Sequence, residues 1–170
     1  MAGGRWLLGQ GPKGGDKIGP NPTDRGKNGV QRSRLVEADG GPLAVVVAGA
    51  NVPDAHLLAE TIESIVLERP EPEPGWEQHL CLDKGFDNDE GYGACVDHDY
   101  VPHIALIRDE RPERPKPHKP RRWVVERTLS WLNQCRALLV RSETTADNYL
   151  ALIKLACILL WYRRYHRLAF

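Results

Sequence analysis

The chain has 170 residues, 41% of them hydrophobic, and its 23 basic and 23 acidic side chains leave no formal net charge at pH 7. That length suits one soluble domain around one ordinary core. Its four cysteines, Cys81, Cys95, Cys135 and Cys157, form no C-x-x-C pair, which argues against a disulfide framework or a cysteine zinc site and points to a reducing cytosol.

In chain order, the N-terminal "MAGGRWLLGQGPKGGDKIG" lacks the continuous apolar run of a signal peptide, so a cytoplasmic protein is expected. Residues 1–29 are rich in Gly, Pro and Asn and read as an irregular arm, with a domain following over residues 30–170. "RSRLVEADGGPLAVVVAGA" gives two strands around an Asp-Gly-Gly turn, a hairpin signal. "NVPDAHLLAETIESIVLE" predicts an amphipathic helix with Asn51 or Asp54 available to cap it, and "RPEPEPGWE" ends that helix in a stiff linker. "HLCLDKGFD" is a short strand stopping at a charged turn, "NDEGYGACVDHD" a weak helix, and "YVPHIALIR" another strand. After the basic, proline-punctuated "DERPERPKPHKPRR", two helices are predicted, over about 121–139 and 145–165. The apolar "YLALIKLACILLWY" spans only 14 residues and contains Lys154, whereas a bilayer core needs about 20, so a buried helix and no membrane span is expected.

Charge is segregated along this order. Residues 1–34 carry seven Lys/Arg against two Asp/Glu, residues 35–107 two against fifteen, and residues 108–141 ten against four. An acidic middle is most often a solvated face, yet carboxylates between basic flanks also suit a metal-assisted reaction on a polyanion. Two of them stand out. Asp83 ends a short apolar strand, where α/β folds present ligand-binding groups. Glu126 falls early in a helix, with Arg122, Ser130 and Asn133 on its own face and Val124, Trp131, Cys135 and Leu138 as the opposite apolar stripe. The residues alone leave two readings open for each: a turn former or a ligand for Asp83, a surface ion pair with Arg122 or a ligand for Glu126. Trp123 and Trp131 read as core anchors, and the six histidines show no ligand spacing.

Read together and in this order, "GPNPTDRGKNG", "GGPLAVVVAGANVPD", "LCLDKGFD" and "RRWVVERTLSWLNQCRALLVRSE" resemble the catalytic domain of DDE-type transposases of bacterial insertion sequences, of the group four/five-like kind. The resemblance runs from about residue 11 to the C-terminus. It implies an α/β, ribonuclease-H-like mixed sheet flanked by helices, and a site in which two aspartates and a glutamate hold two Mg2+ ions. The second aspartate of the family's pattern maps onto Asp83, and the glutamate, four residues after an arginine, onto Glu126. Magnesium takes oxygen ligands, and a pair of such ions serves in-line displacement at phosphorus, so the implied activity is DNA strand cleavage and strand transfer.

Three departures qualify that expectation. The family's first aspartate lies on a first strand upstream of the matching region, and neither Asp16 nor Asp24 ends an apolar strand, so the fold is expected to lack its first strand and the triad to be incomplete. No region resembling the family's terminal-repeat recognition segment is present, and Asn133 stands where related transposases often carry a basic residue seven positions after the glutamate. A transposase catalytic fragment that depends on an upstream reading-frame product is therefore the first reading; a non-catalytic remnant that binds DNA or transposase subunits is the alternative. Loss of a central strand also leads to an expectation of self-association. Double-stranded DNA, as transposon ends and target, is the expected partner, with phosphate contacts assigned to Lys119, Arg121, Arg122 and Arg127 beside Glu126 and to Arg25 and Lys27 in the Gly-rich loop.

Overall fold

The structure is a computed structural model that describes residues 9–10, 14–71, 75–104 and 122–168. It is a mixed α/β arrangement. Strands β1 (Gly9–Gln10), β2 (Gly19–Pro20), β3 (Asn28–Val36) and β4 (Pro42–Gly49) precede helix α1 (Leu58–Glu63). Strand β5 (Gln78–Leu82), helix α2 (Asp89–Asp97) and strand β6 (Tyr100–Ile104) follow, and helices α3 (Arg122–Asn133), α4 (Arg136–Leu139) and α5 (Ala146–Leu168) close the chain.

The predicted hairpin is β3 and β4, antiparallel from Val30 opposite Gly49 to Leu35 opposite Ala44, with a register shift before Val36. Its turn closes through Gly40, whose φ of +91° is the left-handed region that glycine enters without steric cost. Gly41 is needed for space: a Cβ there would lie 2.3 Å from the Trp161 ring. Residues 1–29, expected to be an irregular arm, contribute two short strands: β1 and β2 both pair antiparallel with β3. The peptide N–H of Asp16 also donates to the carbonyl of Thr144, 3.0 Å away. Strands β5 and β6 form a parallel pair joined by α2, as the strand–helix–strand pattern predicts.

Because side chains alternate along a strand, β3 sends two sets in opposite directions. Gln31, Ser33 and Leu35 face α1, where Ser33 and Thr61 hydroxyls lie 2.6 Å apart and Leu35 joins a core of Leu58, Ile62, Leu80, Leu82, Phe86 and Tyr100. Val30, Arg32, Arg34 and Val36 face the C-terminal helices. Val30 joins Leu132, Leu138, Tyr149 and Ile153, while Val36 packs on Val124, Val125 and Leu129. Eight of the nine β3 residues are therefore buried, two arginines among them.

The hairpin turn is held by two helices at once. Thr128 Oγ1 donates to the Gly40 carbonyl at 2.6 Å and Arg127 donates to the Asp39 carbonyl, which docks α3. From α5, Trp161 Nε1 donates to the Pro42 carbonyl at 2.8 Å and Arg164 Nη1 pairs with Glu37 at 2.7 Å.

Three expectations are corrected by the structure. The helix after the hairpin is shorter than its periodicity suggests: a 3-10 turn over Ala55–Leu57 leads into α1, and past Ser64 the chain turns back to β4, where Val66 N–H meets the Leu43 carbonyl. The helix over 121–139 is broken after Asn133, because buried Arg32 pins both Asn133 Oδ1 (3.5 Å) and the Leu138 carbonyl (3.2 Å). Trp123 is not a core anchor. It is 57% exposed with the Arg127 guanidinium over its ring, and the buried stripe of α3 is Val124, Val125, Thr128, Leu129 and Leu132. No helix among the described residues is long and apolar enough to cross a membrane.

Candidate functional site

Asp83 follows β5 directly. Its backbone is still extended, and its Oδ1 accepts the N–H of Lys84 at 2.7 Å, starting the 3-10 turn Lys84–Phe86. The buried Leu80, Leu82 and Phe86 anchor this junction from below, so the carboxylate is set by core packing rather than by a mobile loop. Its position at the carboxyl end of a parallel strand is the one that the apolar run "LCL" followed by Asp led the sequence reading to expect.

A second carboxylate lies near enough to feel its charge. Asp54, in the loop after β4, stands at the N-cap position of the Ala55–Leu57 turn but makes no capping bond; its Oδ1 instead accepts from Nε2 of the buried Gln31. Burial pushes the Asp54 carboxyl up to about 7; the Gln31 bond opposes this and the charge of Asp83 adds to it. Sequence reasoning gave Asp54 only a capping role. The available signal was the same as for Asp83: an apolar strand, "LAVVVAG", followed within a few residues by an aspartate.

Glu126 is half-buried on α3, whose opposite side is locked by Val125 and Leu129, and its backbone carbonyl accepts Ser130 Oγ at 2.9 Å. α3 docks on the hairpin turn through Gly40, whereas Asp54 is tied to the beginning of β3 through Gln31. Among the described residues no group of three or more His, Cys, Asp or Glu side chains could hold a metal ion. The donor chemistry nevertheless suits a hard cation at the Asp54–Asp83 pair: both groups offer carboxylate oxygens, and their mutual repulsion is what a dication would relieve.

The basic residues fall into three groups. Lys119 and Arg121 lie outside the described residues; Arg122 opens α3, but its side chain also lies outside them. Arg127 is exposed, stacked on Trp123 and bonded to Asp39. Arg25 and Lys27 are exposed in a tight turn organised by Asn21, whose Oδ1 accepts from Thr23 N–H at 2.9 Å; Arg25 has a φ of +50° and Lys27 lies 3.4 Å from Asp24. Asp24 therefore serves this turn and Asp16 an exposed bend beside Thr144, consistent with neither being a strand-end acid.

Sequence reasoning missed a cluster of cations inside the molecule. Arg32, Arg34 and Arg141 are at most 4% exposed and surround Tyr149, with the Arg141 guanidinium 5.4 Å from its ring centroid. Arg141 donates to the Glu143 and Thr144 carbonyls, and burial together with Arg32 lowers Arg34 to about 9.

A family model described as the transposase DDE domain matches residues 8–161. A Burkholderia cepacia protein named as a transposase for insertion sequence element IS402 is 35% identical over 160 residues, covering 89% of this chain and 71% of the relative. No solved structure matches.

Proposed function

From the premise that the chain belongs to the transposase DDE domain family, we propose that it provides the catalytic domain for DNA strand cleavage and strand transfer, on a ribonuclease-H-like fold. An antiparallel hairpin beside a parallel strand pair, with helices on both faces of the hairpin, supports the fold assignment.

The observation that carries the reading is a strand-end aspartate, Asp83, whose charge reaches a second carboxylate, Asp54, that burial first and the Asp83 charge after it hold up at about 7. Membership of the family implies a divalent metal, typically Mg2+. In the proposed arrangement Asp83 and Glu126 hold it, and when bound a two-ion site supplies activation of the attacking oxygen and stabilisation of the leaving one. The chain's own contribution is positioning. The Lys84 N–H orients the Asp83 carboxylate, and packing of Val125 and Leu129 holds Glu126 on a rigid helix. Arg25, Lys27 and Arg127, with Lys119, Arg121 and Arg122, contact DNA phosphates without reading sequence. Because neither Asp16 nor Asp24 ends an apolar strand, the family's first aspartate is proposed to come from an upstream reading-frame product.

The test is divalent-cation-dependent cleavage and joining of a duplex carrying the ends of the encoding element, by the chain together with that upstream product. Asp83→Asn and Glu126→Gln should each lower the rate by more than the roughly 100-fold that loss of an outer-shell partner costs. Wild-type rates in both variants would remove these residues from the site. A reconstituted pair that binds the duplex but never cuts it would establish the non-catalytic reading instead.

A further inference from the structure

α5 is apolar on two sides. Ala146, Tyr149, Ile153 and Ala156 are buried against the domain, yet Leu155, Ile158, Leu159, Tyr162 and Tyr165 are 55%, 62%, 47%, 60% and 69% exposed. The exposed residues recur at three- and four-residue spacing, so they form one stripe on the outward side of the helix. A stripe of this kind, with its ends polar, marks an interaction surface. Its ends differ in charge: exposed Asp147 lies in the first turn, and exposed Arg163, His166 and Arg167 lie near the other end.

We infer that this face joins two copies of the chain, with their α5 helices antiparallel about a two-fold axis. The charge pattern selects the occupant and its direction. A second copy laid parallel would set Asp147 on Asp147 and the arginines on one another. Laid antiparallel, it sets the acidic end of each helix on the basic end of the other, twice, and opposes the two helix dipoles favourably. Side-chain size fixes the register. With the axis between Ala156 and Cys157, Leu155 faces Ile158 of the second copy, Ala151 leaves room for its Tyr162 ring, and Asp147 meets its His166. The contact then runs from Asp147 to His166, about 29 Å of helix. Asp54 and Asp83 are packed through α1, β5 and α2 on the other face of β3, so pairing through α5 leaves them open. This route to self-association differs from the sheet-edge route expected from the sequence, and it does not depend on the transposase reading.

Sedimentation equilibrium of the full chain at high micromolar concentration should give a dimer. Leu155→Glu combined with Ile158→Glu should weaken it at least tenfold with an unchanged thermal melt, because neither side chain belongs to the core. Should that pair disturb folding, Asp147→Lys tests the same contact through charge alone and should also weaken the dimer. Under oxidising conditions Leu155→Cys with Ile158→Cys should form an intermolecular cross-link, whereas Tyr165→Cys alone should not, since the two copies of that position lie about 25 Å apart along antiparallel helices. A monomer at all concentrations, an oligomer indifferent to these substitutions, or efficient cross-linking through Tyr165→Cys alone would each overturn the inference.

Discussion

The two faces of β3 bury charge of opposite sign and handle it differently. Toward α1, Gln31 reaches a single carboxylate, Asp54, at the mouth of a loop beside Asp83. Toward α4 and α5, Arg32 and Arg34 lie with Arg141 under packed helices, and the acceptors of Arg32 and Arg141 are the carbonyls of Leu138, Glu143 and Thr144 and the amide oxygen of Asn133. Burial pushes Asp54 up and Arg34 down, so both faces resist ionisation. The cationic face answers with fixed protein dipoles and becomes scaffold. On the acidic face Asp54 accepts from the Gln31 side chain and Asp83 from the Lys84 N–H, and it is there that the proposed metal site lies.

The comparison breaks most readily on the cationic face. Arg32→Ala removes the pin between β3 and the α3–α4 break and leaves a cavity, so it should cost roughly 2–4 kcal/mol in denaturant unfolding. Arg32→Met, which keeps the volume without the charge, should cost clearly less. Equal losses would mean that the charge itself, and not the space it fills, supports the fold.

On the acidic face the sign reverses, and removing charge should stabilise. The Asp54 carboxyl is raised from 3.8 to about 7, so between those values the native state holds a proton that the unfolded state has released, and stability falls as pH rises. Asp54→Asn should abolish that slope: its melting temperature should exceed wild type increasingly from about pH 4 to about pH 7 and by a constant margin above. A variant less stable than wild type at pH 8 would show that the Gln31–Asp54 bond outweighs the burial of charge.

The smallest effect is expected at the hairpin turn. Burial works against the Glu37 charge, but the Gly41 and Asp39 N–H groups and Arg164 outweigh it and hold the carboxyl below its ordinary 4.5. A lowered acid contributes stability that is complete above the unfolded value and is lost as pH falls through the folded one. Glu37→Gln should therefore cost little at low pH and more at neutral pH, and a loss that is the same at every pH would mean that Arg164 does not sense the charge.

The order of strands and helices was legible because apolar periodicity and turn chemistry are local properties, and "EADGG" names its turn from five residues. Asp83 was legible for the same reason, as a strand-end acid. What escaped was set by partners far away in sequence. The break after Asn133 answers to Arg32, 101 residues earlier. The role of Asp54 answers to Gln31 and Asp83, and a capping position looks the same in sequence whether or not its side chain caps. The exposure of Trp123 follows from the azimuth at which α3 lands on Val36, which an aromatic beside two valines does not reveal.

The double clamp on the hairpin turn bears on how the protein is made. The groups that occupy the carbonyls of Gly40 and Pro42 and pair with the Glu37 carboxylate come from Thr128, Trp161 and Arg164, made 88, 119 and 127 residues later. Until those later segments are made the turn has only its own hydrogen bonds, so nascent chains and products truncated before Thr128 should be cut there by proteases that leave the folded molecule intact.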